Sequence, residues 1–169
     1  MKKKLTLIIL LFAVSYTYAQ DTTAVKRDAL KMMNALTQGD YNTFADYNHP
    51  NALSIMGGRE KVISTTKSAM ENAEKKGMSM RRGILGAVGK FVVSENQIYC
   101  TIPDTIMINV EGGYAAVPST LLGISSDQGK NWTFISTGNY PRETLIQYFP
   151  NLPKDIVIPP KGRVVVHKD

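Results

Sequence analysis

The spacing of apolar residues changes once along this chain, at Gly77, and that change constrains the fold more than any other feature. Upstream, Val25, Ala29, Met32, Met33 and Leu36 recur every three or four residues, the repeat of a helix that buries one stripe. Downstream the repeat shortens to two and holds for about sixty residues, as strands require. Helices come first and strands follow, with connections too short for crossovers. The expected class is therefore α+β with an antiparallel sheet.

Asp21 or Thr22 can cap the first helix, and Gly39 follows it as a helix-ending residue. Asp40 then caps a short second helix running to about Tyr47, with Asn48-His49-Pro50-Asn51 read as a loop because Pro50 resists continuation. After Gly57-Gly58, Val62, Thr66, Met70 and Ala73 mark one face of a third helix. Strands are expected near 79–88, 97–102, 105–110, 114–125 and 131–136, with turns at 94–96, Pro103-Asp104, 111–113 and 127–129. Ile98, Cys100 and Ile102 alternate with Gln97, Tyr99 and Thr101, so one face of the sheet should bury against the helices. Pro141 opens a last helix with Leu145, Ile146 and Phe149 as its stripe.

Two β-branched runs remain in the tail, separated by Pro159-Pro160-Lys161-Gly162, which cannot sit inside a sheet. Ile156 to Ile158 is expected to dock, guided by Phe149 and Leu152. The run Val164 to Val166 is then an added edge strand or a strand that pairs with a partner.

At the N-terminus, Lys2 to Lys4 precede an apolar stretch from Leu5 to Val14 and a small residue, Ala19, the layout of a cleavable secretory signal. The stretch is well short of the ~20 residues that span a bilayer, and no cysteine follows it for lipid attachment. The expected layout is a signal over 1–19, a domain over 20–150 and a C-terminal extension over 151–169. The location that follows is periplasmic or secreted, with no membrane span after cleavage. The net charge of +6 loses three signal lysines to leave +3, too diffuse for nucleic acid. Cys100 is the single cysteine, so packing rather than an internal disulfide must hold the domain together.

Ser125-Ser126-Asp127-Gln128-Gly129-Lys130-Asn131-Trp132 matches the Asp-box turn of propeller blades, but one copy makes no propeller. Asp127 should bond back onto the turn and Trp132 should cover it. His49, near Asp46, Tyr47 and Tyr41, can serve as acid or base, or can cap a loop. Cys100, on the apolar strand face, reads as a small hydrophobe. No ligand spacing suggests a metal, and no cofactor motif occurs.

The pieces Gly39-Asp40-Tyr41, His49-Pro50, Met56-Gly57-Gly58, the 125–134 hairpin and Phe149-Pro150-Asn151-Leu152, in that order, resemble the nuclear transport factor 2-like superfamily, in particular small exported bacterial members of unassigned function. The resemblance implies three N-terminal helices packed in a cone of curved antiparallel sheet, with a pocket between sheet and helices. Its candidate lining is Met33, Tyr41, Tyr47, His49, Met70 and Tyr99. Catalytic relatives such as ketosteroid isomerases place an acid or base there, whereas the first helix here offers methionines. Three functions follow: a module binding a small apolar or amphipathic ligand, a homodimer or partner contact through the outer sheet face, and an isomerase, cyclase or hydratase using His49 with Asp46.

Overall fold

A computed structural model describes residues 22–138 and 140–168. The segment 1–19 expected as a signal and the alternative cap Asp21 lie outside the described residues. Helix α1 (Thr22–Gln38) buries Val25, Ala29, Met32 and Met33 on one side, as the spacing predicts, together with one charge, Asp28. Full burial of a Val- or Met-sized side chain stabilises by about 1.5–3 kcal/mol. Gly39 ends the helix at φ +75°, a left-handed conformation that lets the Asp40 N–H close on the Ala35 carbonyl. Asp40 then caps α2 (Tyr41–Asp46), its Oδ1 accepting from the Thr43 N–H at 3.0 Å.

The segment 48–51 is not a loop. Pro50 is the first residue of another helix, α3 (Pro50–Ile55), where its missing N–H has no intrahelical partner to lose. His49 caps this helix, with Nδ1 accepting from the Asn51 N–H at 3.1 Å. Among the described residues four helices therefore precede the sheet rather than three, the fourth being α4 (Arg59–Glu74). Arg59 ties α4 to α2 through Asp46, at 2.8 and 3.1 Å.

The sheet comprises β1 (Ser79–Leu85), β2 (Val92–Ser94), β3 (Gln97–Val110), β4 (Gly113–Ser125), β5 (Thr133–Ser136) and β6 (Val165–Lys168), all pairings antiparallel. It is curved and unclosed. The β3–β4 hairpin is its spine. Strands β1 and β2 lie along the free edge of β3, and β5 and β6 along that of β4.

Pro103-Asp104 does not turn the chain: β3 passes through it as one strand of 14 residues. The Pro103 carbonyl accepts from Gly86 N–H, and a residue's N–H and C=O leave a strand on the same side. The missing N–H thus faces the irregular 86–91 segment between β1 and β2, where no ladder bond needs it. For the same reason the strand expected over 79–88 ends at Leu85.

Both faces of the sheet are covered near β5, not one. On one side Cys100, Ile102, Leu121, Trp132 and Phe134 pack on Val25, Ala29 and Met32 of α1. On the other, Tyr99, Leu122, Ile124 and Ile135 meet Ala52 of α3, Leu145 and Phe149 at α5 (Arg142–Tyr148) and its C-cap, and Leu152 and Ile156 of the following segment. Ile146 is 42% exposed, because the buried stripe follows the i, i+4 pair Leu145 and Phe149. Arg142 fastens the tail by donating to the carbonyls of Pro153 and Ile156, both at 2.7 Å. The valine run enters the sheet edge as β6, pairing with Gly113 to Ala116 while its side chains stay exposed.

Candidate functional site

Where α1 ends and α2 begins, the chain stands off the sheet and leaves a cleft of about 320 Å³. Ile106 and Ile108 of β3 and Met80 of β1 form its apolar floor. Leu36, Met70 and Ala73 supply its helical wall, while Tyr41, Glu74 and Ser79 bring polar groups to it. The Tyr41 hydroxyl is pushed above its ordinary pKa, first by burial and then by the charges of Glu74 and Glu71. Glu74 is the charged side chain of the lining, so the cleft is apolar inside and acidic at its rim.

Two of the six pocket candidates, Tyr41 and Met70, line this cleft. Met33 lies one helical turn inward of Leu36, buried against Gly83. Tyr47 packs half-buried on the α1 layer. Tyr99 faces the opposite layer, fully buried, and its hydroxyl donates to Gln97 Oε1 at 2.6 Å.

His49 is 9% exposed, caps α3 and sets its ring edge-on to Phe149 with centroids 5.0 Å apart. Burial pushes its imidazole down to about 4, which makes it neutral at pH 7, without the imidazolium proton that a histidine general acid donates. Asp46 points outward to Arg59. The structure therefore does not assemble His49 and Asp46 into a pair.

The carboxyl with the most perturbed surroundings is Asp104, which the turn-like Pro103-Asp104 dipeptide conceals in the sequence. It is 5% exposed on the α1 side of β3, and its Oδ1 is enclosed without a hydrogen-bond partner. Burial pushes it up to about 6, against the pull of its own backbone N–H. Ser119 is its cross-strand neighbour, and Ser119 Oγ lies 3.0 Å from Ser136 Oγ. The detectable signal is the alternation Ile98, Cys100, Ile102, Asp104, Ile106, Ile108: an acid occupying an apolar face.

The 125–132 hairpin is a self-contained turn. Asp127 accepts from the N–H groups of Lys130 and Asn131, the Ser125 hydroxyl and the Asn131 amide. These bonds, the Asn131 N–H foremost, hold its carboxyl at about 2. Trp132 is buried, and its indole N–H donates to the Gly129 carbonyl at 2.9 Å. Cys100 is fully buried, and desolvation raises its thiol to about 12, the condition of an inert core residue. Among the described residues no group of three or more His, Cys, Asp or Glu is placed to hold a metal ion, and no helix is long and apolar enough to cross a membrane.

No family model matches the chain, and no curated protein matches it. Two solved structures are similar to it at 14% identity. One, from Catenulispora acidiphila, aligns with 68% of this chain and 90% of its own, with a TM-score of 0.47. The other, Aln2 from a Streptomyces species, aligns with 67% and 84%, with a TM-score of 0.45.

Proposed function

We propose that this protein is an exported, nuclear transport factor 2-like binding module that holds a small amphipathic molecule in the cleft between its helices and its sheet. The observation that carries this is the cleft itself: about 320 Å³ floored by Ile106, Ile108 and Met80, with Tyr41 and Glu74 among its polar groups. A volume of this order suits a small ligand, and an apolar cavity with a few polar groups both removes hydrocarbon from water and orients it. Binding is favoured over acid–base catalysis because His49 and Asp46 are engaged with other partners, Asn51 and Arg59, and neither lines the cleft.

Native mass spectrometry of the protein purified from its own host tests this reading. The expected result is a mass above that of the bare chain, lost on denaturation, with the mature chain beginning at Gln20. A bare mass, together with no heat of binding for any of a panel of single-chain amphiphiles, overturns it.

A further inference from the structure

The cleft and the buried Asp104 belong to one side of the sheet and to successive ranks of side chains. Pairing of β1, β3 and β4 places Met80, Ile108 and Ala115 in one rank, Gly83, Ile106 and Val117 in the next, and Leu85, Asp104 and Ser119 in the third. Cross-strand partners share a face, as do alternate residues along a strand. Ile108 and Ile106 floor the cleft. Asp104 is the next residue inward on that face, four residues or about 13 Å of strand from Ile108.

Met33 stands between them. A Cβ built at Gly83 would collide with the Met33 methyl, so that methyl fills the space a side chain at position 83 would take, in the rank separating the cleft from Asp104. On α1 Met33 lies one turn inward of Leu36 and Thr37, which line the cleft. Methionine is unbranched and has three rotatable bonds, so it can vacate such a space without moving the backbone.

We propose that the cleft is the outer part of a longer channel closed by Met33, and that its ligand is a straight-chain primary amine whose ammonium group donates to Asp104 Oδ1. This rests on the cleft being a ligand site. An ionised carboxylate with one oxygen enclosed and unpartnered is disfavoured, and an incoming cation is the group that relieves it most. An ammonium offers three donors, enough to serve Oδ1 and the hydroxyl of Ser119 in the same rank. The rim carries the same preference: Glu74 lines the entrance, with Glu71 close enough to raise the Tyr41 hydroxyl alongside it. Both ends of the path are acidic and its middle is hydrocarbon. A fatty acid meets repulsion at each end, and a neutral alcohol gains one weaker bond.

Calorimetric titration of the full mature chain at pH 7.5 with octylamine, 1-octanol and octanoate tests this. Octylamine should bind at least tenfold more tightly than 1-octanol, with octanoate weakest. Asp104→Asn should weaken octylamine at least tenfold and 1-octanol less than threefold. In the unaltered protein, saturating octylamine should move the Asp104 carboxyl ¹³C titration midpoint down from about 6 by at least one pH unit and shift the Met33 methyl resonance. That second measurement decides the matter even if the Asn variant folds poorly. Equal binding of all three probes, with an unmoved Asp104 midpoint, overturns the amine channel and leaves the cleft a ligand site. No binding by any probe removes the ligand site itself.

Discussion

His49 and Asp104 titrate in opposite senses over the same range, so each should conceal the other in the pH dependence of stability. Folding holds His49 neutral, lowering it from 6.5 to about 4. The unfolded chain therefore binds the extra proton below pH 6.5, and stability from this group, full above 6.5, is lost as pH falls toward 4. Asp104 is raised from 3.8 to about 6. Its folded form binds the extra proton, and its contribution, full below 3.8, is lost as pH rises through 6. At 1.36 kcal/mol per pK unit each displacement amounts to about 3 kcal/mol, with slopes of about +1.4 and −1.4 kcal/mol per pH unit between pH 4 and 6. The unaltered protein should be nearly level across that window. Asp104→Asn should expose the histidine, stability climbing by about 3 kcal/mol from pH 4 to 6.5. His49→Asn, which keeps an N-cap acceptor for Asn51, should fall by about 3 kcal/mol from pH 4 to 6. Urea unfolding followed through the single tryptophan, Trp132, measures all three proteins with one probe. The slopes are the observable, since each substitution also changes local packing. Single variants that retain the profile of the parent would refute the opposed burial of these two groups.

Asp28 accepts a two-pronged bond from Arg27 at 2.7 and 2.9 Å and another from the buried Trp132 N–H at 3.1 Å. Asp28→Ala should lower unfolding free energy by about 3 kcal/mol, because it strands that N–H away from water, and a loss under 1 kcal/mol by denaturant titration would contradict this. Deleting 160–169 removes the four β6 pairings and the Tyr114–His167 stack, whose ring centroids are 4.6 Å apart. The melting temperature should drop by about 3–6 °C, from ~1–2 kcal/mol of edge contacts. An unchanged midpoint would mean that the strand is free in solution.

The parts of the fold readable from sequence are those governed by neighbours in the chain. The stripe of α1, the Gly39 stop, the Asp40 cap and the Asp127 turn each depend on residues within a few positions. The parts that sequence spacing misplaces turn on what lies across space. Pro50 stops one helix by starting another, and Pro103 stays in a central strand because the β1–β2 edge opens opposite its missing N–H. That second proline hides Asp104. Of the cleft, Tyr41 and Met70 are legible, whereas Tyr99 belongs to the other side, because both faces of the sheet are covered and alternation alone does not say which face meets which helix. His49 reads from sequence as either cap or pocket group, and its local sequence does not contain Phe149, which fills the space beside it.

The bonds that hold the start of α1 reach far along the chain: Arg27 donates to the Lys130 carbonyl, 103 residues later, and Asp28 receives the Trp132 N–H, 104 residues later. The first helix among the described residues thus has its anchoring partners in the last third of the chain. Long-range closure of this kind slows folding, because the intervening loop must be gathered before its contacts stabilise anything. Until the β4–β5 hairpin has formed, the Trp132 N–H is not in place for Asp28, and the part of the α1 stripe that meets Trp132 and Phe134 is uncovered. The seating of α1 should therefore be among the late contacts to close, and until it is made the sheet face that α1 covers stays open to aggregation.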